Sequence, residues 1–147
     1  MASNGHMTGM RGVYLVAAEL SRLGFIVSPT SRSARGADLL VTDQACQKAW
    51  SVQIKTNRKR AGFWLVGEHA TKIKSDSHVY VFVNLAKGDG RPEYLVVPSE
   101  QVAAKTRVYH RSTGSVWYGF HREDWPHSGE GWELFGNPNP LAEEISN

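Results

Sequence analysis

The sequence predicts an α/β fold of the α+β kind, in which a mixed β-sheet is flanked by helices. Helix and strand patterns follow one another in the order helix, three strands, helix, two strands, helix, which is typical of such a sheet. One strand pattern, HVYVFVNL, is apolar almost without interruption and therefore predicts a central strand. The 147 residues, 41% of them hydrophobic, suffice for one domain with its own core.

The first half of the chain predicts one helix and three strands. Apolar residues recur at helical spacing from about Thr8 to Leu23, and Gly24 follows as a C-cap. A short apolar strand, FIVSP, ends at a proline, and a loop rich in Ser, Arg and Gly follows it. The next two strands read ADLLVTD and WSVQIKT. The second of them alternates apolar and polar residues, so its two faces differ.

The second half predicts further strands with two short helices between them. The strand patterns are FWLV, HVYVFVNL, EYLVVP and SVWYGF. A helix over Glu68–Lys74 precedes the central strand, and another begins at Ser99. The aromatic, acidic C-terminal segment is expected to fold back over the core. Residues 1–9 are interpreted as a disordered expression remnant, residues 10–136 as one domain and residues 137–147 as a loose tail.

Charge is distributed unevenly along the chain. The net charge is +3, but six of the 14 acidic residues lie from Glu123 onward, where there is no lysine or arginine. The part before Glu123 therefore carries eight acidic residues against 17 basic ones. A basic body predicts a polyanionic partner such as nucleic acid, and ordinary solvation of surface charges is the alternative.

Two features of the composition bear on location. The single cysteine, Cys46, excludes an internal disulfide, and a reducing cytoplasm is the expected compartment. No run approaches the roughly 20 apolar residues of a membrane span. The sequence therefore predicts a cytoplasmic protein without a membrane partner.

Polar residues stand out on two neighbouring strands. Gln53 and Lys55 are two positions apart, so they point to the same face of their strand, about 6–7 Å from each other. If the two strands pair as a hairpin, Asp38 lies within side-chain reach of both. An amphipathic edge hairpin with its polar face in water explains the same pattern without any site.

Asp38 and Gln53 also have the chemistry of metal ligands. Their side-chain oxygens, with the backbone carbonyl of Ile54, suit a hard cation such as Mg²⁺, for which Mn²⁺ is a substitute. Lys55 could then help to deprotonate a water molecule or stabilise charge on a phosphate. This combination predicts metal-assisted hydrolysis of a phosphodiester.

The first helix offers a further acidic residue. Glu19 lies beside the apolar stripe formed by Val16 and Leu20, and burying an unpaired carboxylate is costly. A nearby metal ion or Lys55 would remove that cost. A salt bridge at the helix edge, with Arg22 or another base, is the alternative.

These residues together resemble the PD-(D/E)XK nuclease superfamily, also called restriction-endonuclease-like, which includes archaeal Holliday junction resolvases. The resemblance covers roughly Val13 to Val97 and rests on a helix with Glu19, GADLLV with Asp38, and SVQIKT with Gln53 and Lys55. It implies an αβββαβ core and Mg²⁺-dependent cleavage of nucleic acid. The expected substrate is double-stranded or branched DNA, and a homodimer is a family expectation.

The resemblance also implies a role for each site residue. Asp38 takes the place of the metal-binding aspartate, Lys55 that of the catalytic lysine, and Glu19 that of the helical acid found in several members. Gln53 stands where the motif has its second acid. Because an amide is uncharged, the site has about one negative charge fewer to attract Mg²⁺. Some members resemble this chain in using Gln there, with the helical acid compensating.

Basic residues near the predicted site would form a rim for a nucleic-acid backbone. They are Arg58, Lys59, Arg60, Lys72 and Lys74 after the QIK strand, and Arg32 and Arg35 in the loop before Asp38. A solvated loop is the alternative for each of them.

Three functions follow from these patterns. The first is a small Mg²⁺-dependent endonuclease. The second is a catalytically inactive nucleic-acid-binding or protein-interaction module on the same fold. The third is a partner of another protein that uses the aromatic, acidic C-terminal part.

Overall fold

A computed structural model describes residues 4–31 and 36–145. Its α-helices are α1 (Asn4–Arg22), α2 (Ser99–Lys105) and α3 (Pro140–Ile145). Short 3₁₀ helices lie at Glu68–Thr71, Arg122–Asp124 and Trp132–Phe135. Its strands are β1 (Ile26–Pro29), β2 (Leu39–Thr42), β3 (Ala49–Asn57), β4 (Phe63–Val66), β5 (His78–Asn84), β6 (Glu93–Pro98), β7 (Arg107–His110) and β8 (Val116–His121).

The strands form two sheets. The larger has five strands in the order β1-β2-β3-β5-β6, and the smaller has three in the order β4-β8-β7. In the larger sheet β3 and β5 are parallel, and the other neighbours are antiparallel. The predicted fold class, a mixed sheet flanked by helices, is therefore confirmed. The smaller, antiparallel sheet was not predicted as a unit.

Helix α1 covers one face of the large sheet. Its Val16 and Leu20, four positions apart, are fully buried in one cluster with Val52 and Val81 of the central strands. The 3₁₀ helix Trp132–Phe135 joins the same cluster. The aromatic C-terminal segment therefore folds over the core, as the sequence predicts.

Gly12 brings α1 close to the end of β3. A Cβ atom at this position would collide with the side chain of Thr56. Glycine is buried here, and the absence of a side chain lets the helix backbone lie directly against the strand. Gly12 thus sets how closely this part of α1 approaches β3.

The opposite face of the large sheet is divided into an apolar and a polar part. Over β5 and β6 the small sheet packs through Trp64 and Phe120, and the Phe120 ring stacks on Phe82 with centroids 4.7 Å apart. Over β3 the side chains of Gln53 and Lys55 are half-buried and polar. We call the part formed by Asp38, Gln53 and Lys55 the polar strip.

Two helices differ from their predicted extent. α1 begins at Asn4 rather than near Thr8, and it includes residues 4–9, because no proline interrupts the helical pattern there. The helix predicted over Glu68–Lys74 is a 3₁₀ helix that ends at Thr71, since so short a segment gains few hydrogen bonds against the cost of helix nucleation. None of the described helices is long and apolar enough to cross a membrane.

The C-terminal stretch that was predicted to be a loose tail contacts the body of the protein. The carbonyl of Pro138 accepts a hydrogen bond from the backbone N–H of Gln44 at 2.7 Å. Helix α3 then begins at Pro140, and proline is favoured at a first helical position because its φ is already helical.

Candidate active site

The β2–β3 hairpin determines the position of the polar strip. Leu39 pairs with Val52, so Asp38, one residue before β2, lies opposite Gln53. The Asp38 N–H donates to the Val52 carbonyl at 2.7 Å, which continues the strand pairing past the start of β2. The hairpin predicted from the sequence thus places Asp38 beside the residues of β3.

The turn of the hairpin helps to fix this register. The carboxylate of Asp43 accepts hydrogen bonds from the backbone N–H groups of Ala45, Gln47 and Lys48 at 3.0, 3.0 and 3.1 Å. Asp43 is 2% exposed, so the turn closes around its side chain. A slip of the pairing by one residue would move Gln53 to the core face of the sheet.

Asp38 is held by two hydrogen-bond donors from β3. Its Oδ2 atom accepts from Nε2 of Gln53 at 2.9 Å and from the backbone N–H of Ile54 at 2.8 Å. Its Oδ1 atom accepts no hydrogen bond from the described residues. One carboxylate oxygen therefore fixes the side chain, while the other is available to a ligand.

The surroundings of Asp38 raise its pKa. Burial disfavours the charged carboxylate, and it outweighs the hydrogen bond from Ile54 and the positive charge of Lys55, which both lower the pKa. In the free protein, the hydrogen bond and the lysine charge therefore do not fully offset the cost of burying the Asp38 carboxylate. An added cation would favour the ionised form.

Lys55 is the basic group of the polar strip. It lies two positions from Gln53 in β3, on the same face, and is half-buried. Its charge acts on Asp38, but within the described residues its ammonium group makes no hydrogen bond or salt bridge. The ammonium can therefore pair with an incoming anion without breaking a contact in the protein.

The strip can offer three oxygen atoms to a hard cation. Because Gln53 donates through Nε2, its Oε1 is free to accept. The N–H of Ile54 points toward Asp38, and its carbonyl lies on the same edge, since both groups of a strand residue face the same neighbour. With Oδ1 of Asp38 they form a set of one charged and two neutral oxygens.

These three oxygen atoms suit a hydrated divalent cation better than a metal ion held by several charged side chains. No group of three or more His, Cys, Asp or Glu side chains among the described residues could hold a metal. A site enclosed by several charged ligands is thus absent from this part of the chain. Instead, the oxygens fit a divalent cation that keeps several water molecules or takes phosphate oxygens, as Mg²⁺ does.

Glu19, the predicted helical acid, lies in a different environment. It forms salt bridges with Arg22 at 2.9 Å and with Arg91 at 3.1 Å, and Arg91 also pairs with Glu130 at 2.7 Å. Partial burial acts to raise the pKa of Glu19, but the hydrogen bonds and charges of the two arginines outweigh it, and the pKa is lowered. The structure gives it no contact with Asp38, which matches the salt-bridge alternative.

The predicted basic rim is partly engaged in the protein's own salt bridges. Arg60 pairs with Glu93 at 2.7 Å, and Lys72 pairs with Glu68 at 2.6 Å. The others in the described part are exposed and form no ion pair there; they are Arg58, Lys59 and Lys74. Two predicted residues lie outside the described ranges; they are Arg32 and Arg35.

The polar face extends to a pair that the sequence did not reveal. Ser51 of β3 and His78 of β5 are neighbours in the sheet, and their Oγ and Nδ1 atoms are 2.7 Å apart. Burial lowers the pKa of His78 and favours its neutral form. The two residues are 27 positions apart and meet only through β3–β5 pairing, so no spacing could predict them.

The chain is similar to solved structures in its fold, but not to known families in its sequence. No family model matches the chain, and no curated protein matches it significantly. The fold is similar to that of Hjc, a Holliday junction resolvase from the archaeal hyperthermophile Archaeoglobus fulgidus. The TM-score is 0.42 and the identity 8%, over 77% of this chain and 90% of that chain. At this level the similarity assigns no residue, so residue roles depend on the contacts described above.

Proposed function

We propose that this protein is a metal-dependent endonuclease that hydrolyses phosphodiester bonds in nucleic acid, with DNA as the favoured substrate. The observation that carries the proposal is a carboxylate, an amide and an unpaired ammonium on one open face of the β2–β3 hairpin. Lys55 is near enough for its charge to act on Asp38, yet the two form no salt bridge. Both charges are thus free for a substrate and its counter-ion.

Asp38, Gln53 and the Ile54 carbonyl would hold the cation, either Mg²⁺ or Mn²⁺. Such a cation supplies Lewis-acid activation of the phosphodiester and of the attacking water. Because Asp38 is the charged ligand among them, binding to the free protein is expected to be weak. Phosphate oxygens of the substrate would strengthen it.

Lys55 would stabilise the phosphate during the reaction. Its ammonium can donate hydrogen bonds to a non-bridging oxygen on which negative charge builds. Asp38 must be ionised to bind a cation, and its pKa is raised. Cleavage is therefore expected to fall as the pH drops through that raised pKa, at a higher pH than for an aspartate with an unshifted pKa.

A second candidate function is nucleic-acid binding without cleavage. The observation that favours it is that Gln53 points its amide nitrogen at Asp38, while Glu19 is occupied by two arginines. The site then has one carboxylate where the resembled family has two or three. Such a protein would bind DNA in a salt-dependent way and give no product with any divalent cation.

The proposals are separated by cleavage assays on the purified protein with Mg²⁺ and with Mn²⁺, on single-stranded, duplex and branched DNA and on RNA. Asp38→Ala and Lys55→Ala are each expected to reduce cleavage by at least about 100-fold, the usual effect of losing a charge-stabilising group. Lys48→Ala, which removes an exposed lysine at the hairpin turn, is the matched control and should cut like the wild type.

Thermal unfolding of each variant shows whether a loss of cleavage comes from a loss of fold. If Asp38→Ala and Lys55→Ala fold and cut at the wild-type rate, the polar strip is not the active site. If the wild type binds DNA but yields no product with either cation, the second function replaces the first.

A further inference from the structure

A groove lies between the first half of α1 and the two loops that follow β3 and β5. Its volume is about 870 Å³. Residues of α1, residues 58–59 after β3 and residues 85–87 after β5 line it. The groove is therefore built from separate parts of the chain that meet at one end of the large sheet.

The groove carries a strong positive charge. Four of its lining residues are basic and none is acidic; the basic ones are Arg11, Arg58, Lys59 and Lys87. None of these four forms a salt bridge within the described residues, in contrast to Arg60 and Lys72 nearby in the sequence. Unpaired like charges around one concave surface favour a polyanionic ligand.

The floor of the groove is apolar. Leu85 is buried beneath it, while Tyr14 of α1 is 61% exposed and offers its ring to the groove. An aromatic ring with basic side chains at its margin is typical of sites where an unpaired base stacks and its phosphates meet the cations. A duplex keeps its bases stacked inside and presents mainly phosphates, so it would leave such a floor without a partner.

The groove opens at the end of β3 that is nearest to Lys55, while its α1 wall and the polar strip lie on opposite faces of the large sheet. Arg58 follows directly after β3 and lies three residues beyond Lys55, which is roughly 10 Å along an extended chain. A nucleotide bound in the groove would thus be within a few nucleotides of a phosphate at Lys55. A strand of nucleic acid that contacts both would have to pass around this end of β3.

We propose that this groove binds an unpaired, single-stranded segment of nucleic acid, with a base on Tyr14 and phosphates at Arg11, Arg58 and Lys59. This inference rests on the proposed function for its purpose, because it names the substrate class of the polar strip. The preferred substrate then has a single-stranded segment beside the phosphodiester that is cut, as in a flap or a branched DNA.

The test is fluorescence anisotropy with labelled oligothymidine and with a labelled duplex of the same length, in chelator so that no cleavage occurs. Tyr14→Ala should weaken binding to oligothymidine about tenfold or more and leave duplex binding within about twofold. Arg11→Ala should weaken binding and reduce its salt dependence. Lys48→Ala is the control, and alanine in place of the exposed Tyr14 favours the helix, so the fold is preserved.

Three outcomes would overturn the inference. The first is that Tyr14→Ala binds oligothymidine like the wild type. The second is that it loses single-stranded and duplex binding equally. The third is that sedimentation shows a dimer that Tyr14→Ala dissociates, which would make the groove an interface with a second copy.

Failure of this inference can be told apart from failure of the proposed function. If Lys55→Ala abolishes cleavage while Tyr14→Ala changes no affinity, only the groove is misassigned. If Tyr14→Ala weakens single-strand binding while Asp38→Ala and Lys55→Ala cut normally, the groove holds and the polar strip does not.

Discussion

Two acidic residues on opposite faces of the large sheet are treated very differently by this fold. Glu19 on α1 is held by two arginines, its pKa is lowered, and a third partner, Glu130, completes the network through Arg91. Asp38 has hydrogen-bond donors but no salt bridge, its pKa is raised, and a lysine stands nearby without pairing.

The difference indicates which charged groups stabilise the fold and which are available to bind a ligand. A charge network that is neutralised internally contributes to stability and has little left to offer a ligand. A half-buried carboxylate without a salt bridge costs stability in the free protein, and a cost of that kind is common at functional sites. The polar strip, rather than the Glu19 network, is therefore the better candidate for chemistry.

The largest change in stability is expected for Gln53→Glu. This change replaces the donor that lies 2.9 Å from Asp38 by a second carboxylate, so the two groups repel each other. We expect the free energy of unfolding in chelator to fall by about 1–3 kcal/mol. Millimolar Mg²⁺ should recover much of the loss, because a cation that binds the folded state stabilises it.

Chemical denaturation with and without Mg²⁺ measures this effect. Gln47→Glu, at an exposed position on the hairpin turn, is the matched control. Its stability in chelator should equal that of the wild type, and Mg²⁺ should not alter it. A Gln53→Glu protein that is as stable as the wild type in chelator, and insensitive to Mg²⁺, would speak against a cation site at Asp38.

Neutralising Asp38 and Glu19 in turn is expected to change stability in different directions. Asp38→Asn should leave stability at neutral pH equal or higher, because the amide oxygen can still accept from Ile54 without the cost of a buried charge. Glu19→Gln should lower it, by less than about 1 kcal/mol, because two salt bridges are lost.

The pH dependence of these two effects has opposite signs. Because the pKa of Asp38 is raised, its ionised form lowers the stability of the folded protein, and that stability is regained as the pH falls through the raised pKa. The lowered pKa of Glu19 gives stability that is present above the ordinary pKa of a glutamate and is lost as the pH falls through the lowered pKa. Denaturation curves of both variants and the wild type at neutral and acidic pH provide the check. If the stability of Asp38→Asn and of Glu19→Gln changed with pH in the same way, the two acids would not differ in their effect on the fold.

The smallest effect is expected for Arg91→Ala. Arg91 is mostly exposed and bridges Glu19 to Glu130, while Glu19 retains Arg22. We expect a loss of less than about 0.5 kcal/mol in the free energy of unfolding, with cleavage within about twofold of the wild type. A large fall in cleavage without a loss of stability would mean that the Glu19 network contributes to the proposed active site.

The sequence predicts the part of this site that depends on neighbouring residues. Alternation in WSVQIKT assigns Gln53 and Lys55 to one face, and the short connection to ADLLVTD makes the hairpin that brings Asp38 to them. Both depend on residues that are close together in the sequence, so the periodicity of the sequence predicts them. The core helix and the central strand are visible for the same reason.

Relations between distant segments were not visible in the same way. The partner of Glu19 that lies far along the chain, Arg91, is 72 positions away, and nothing in the sequence links the two. Likewise, the groove collects residues from three segments, and Arg11 and Lys87 have no motif that marks them. The small sheet depends on β4 pairing with β8, which lies more than 50 residues later.

Gly12 has a consequence for the evolution of ligand preference. Because its missing side chain lets α1 rest against Thr56, the residue sets how far the helix wall stands from the loop that carries Arg58 and Lys59. Any larger residue would push that wall outward and widen the space between them. A single codon could thus change how bulky a molecule this protein accepts without altering any charged side chain.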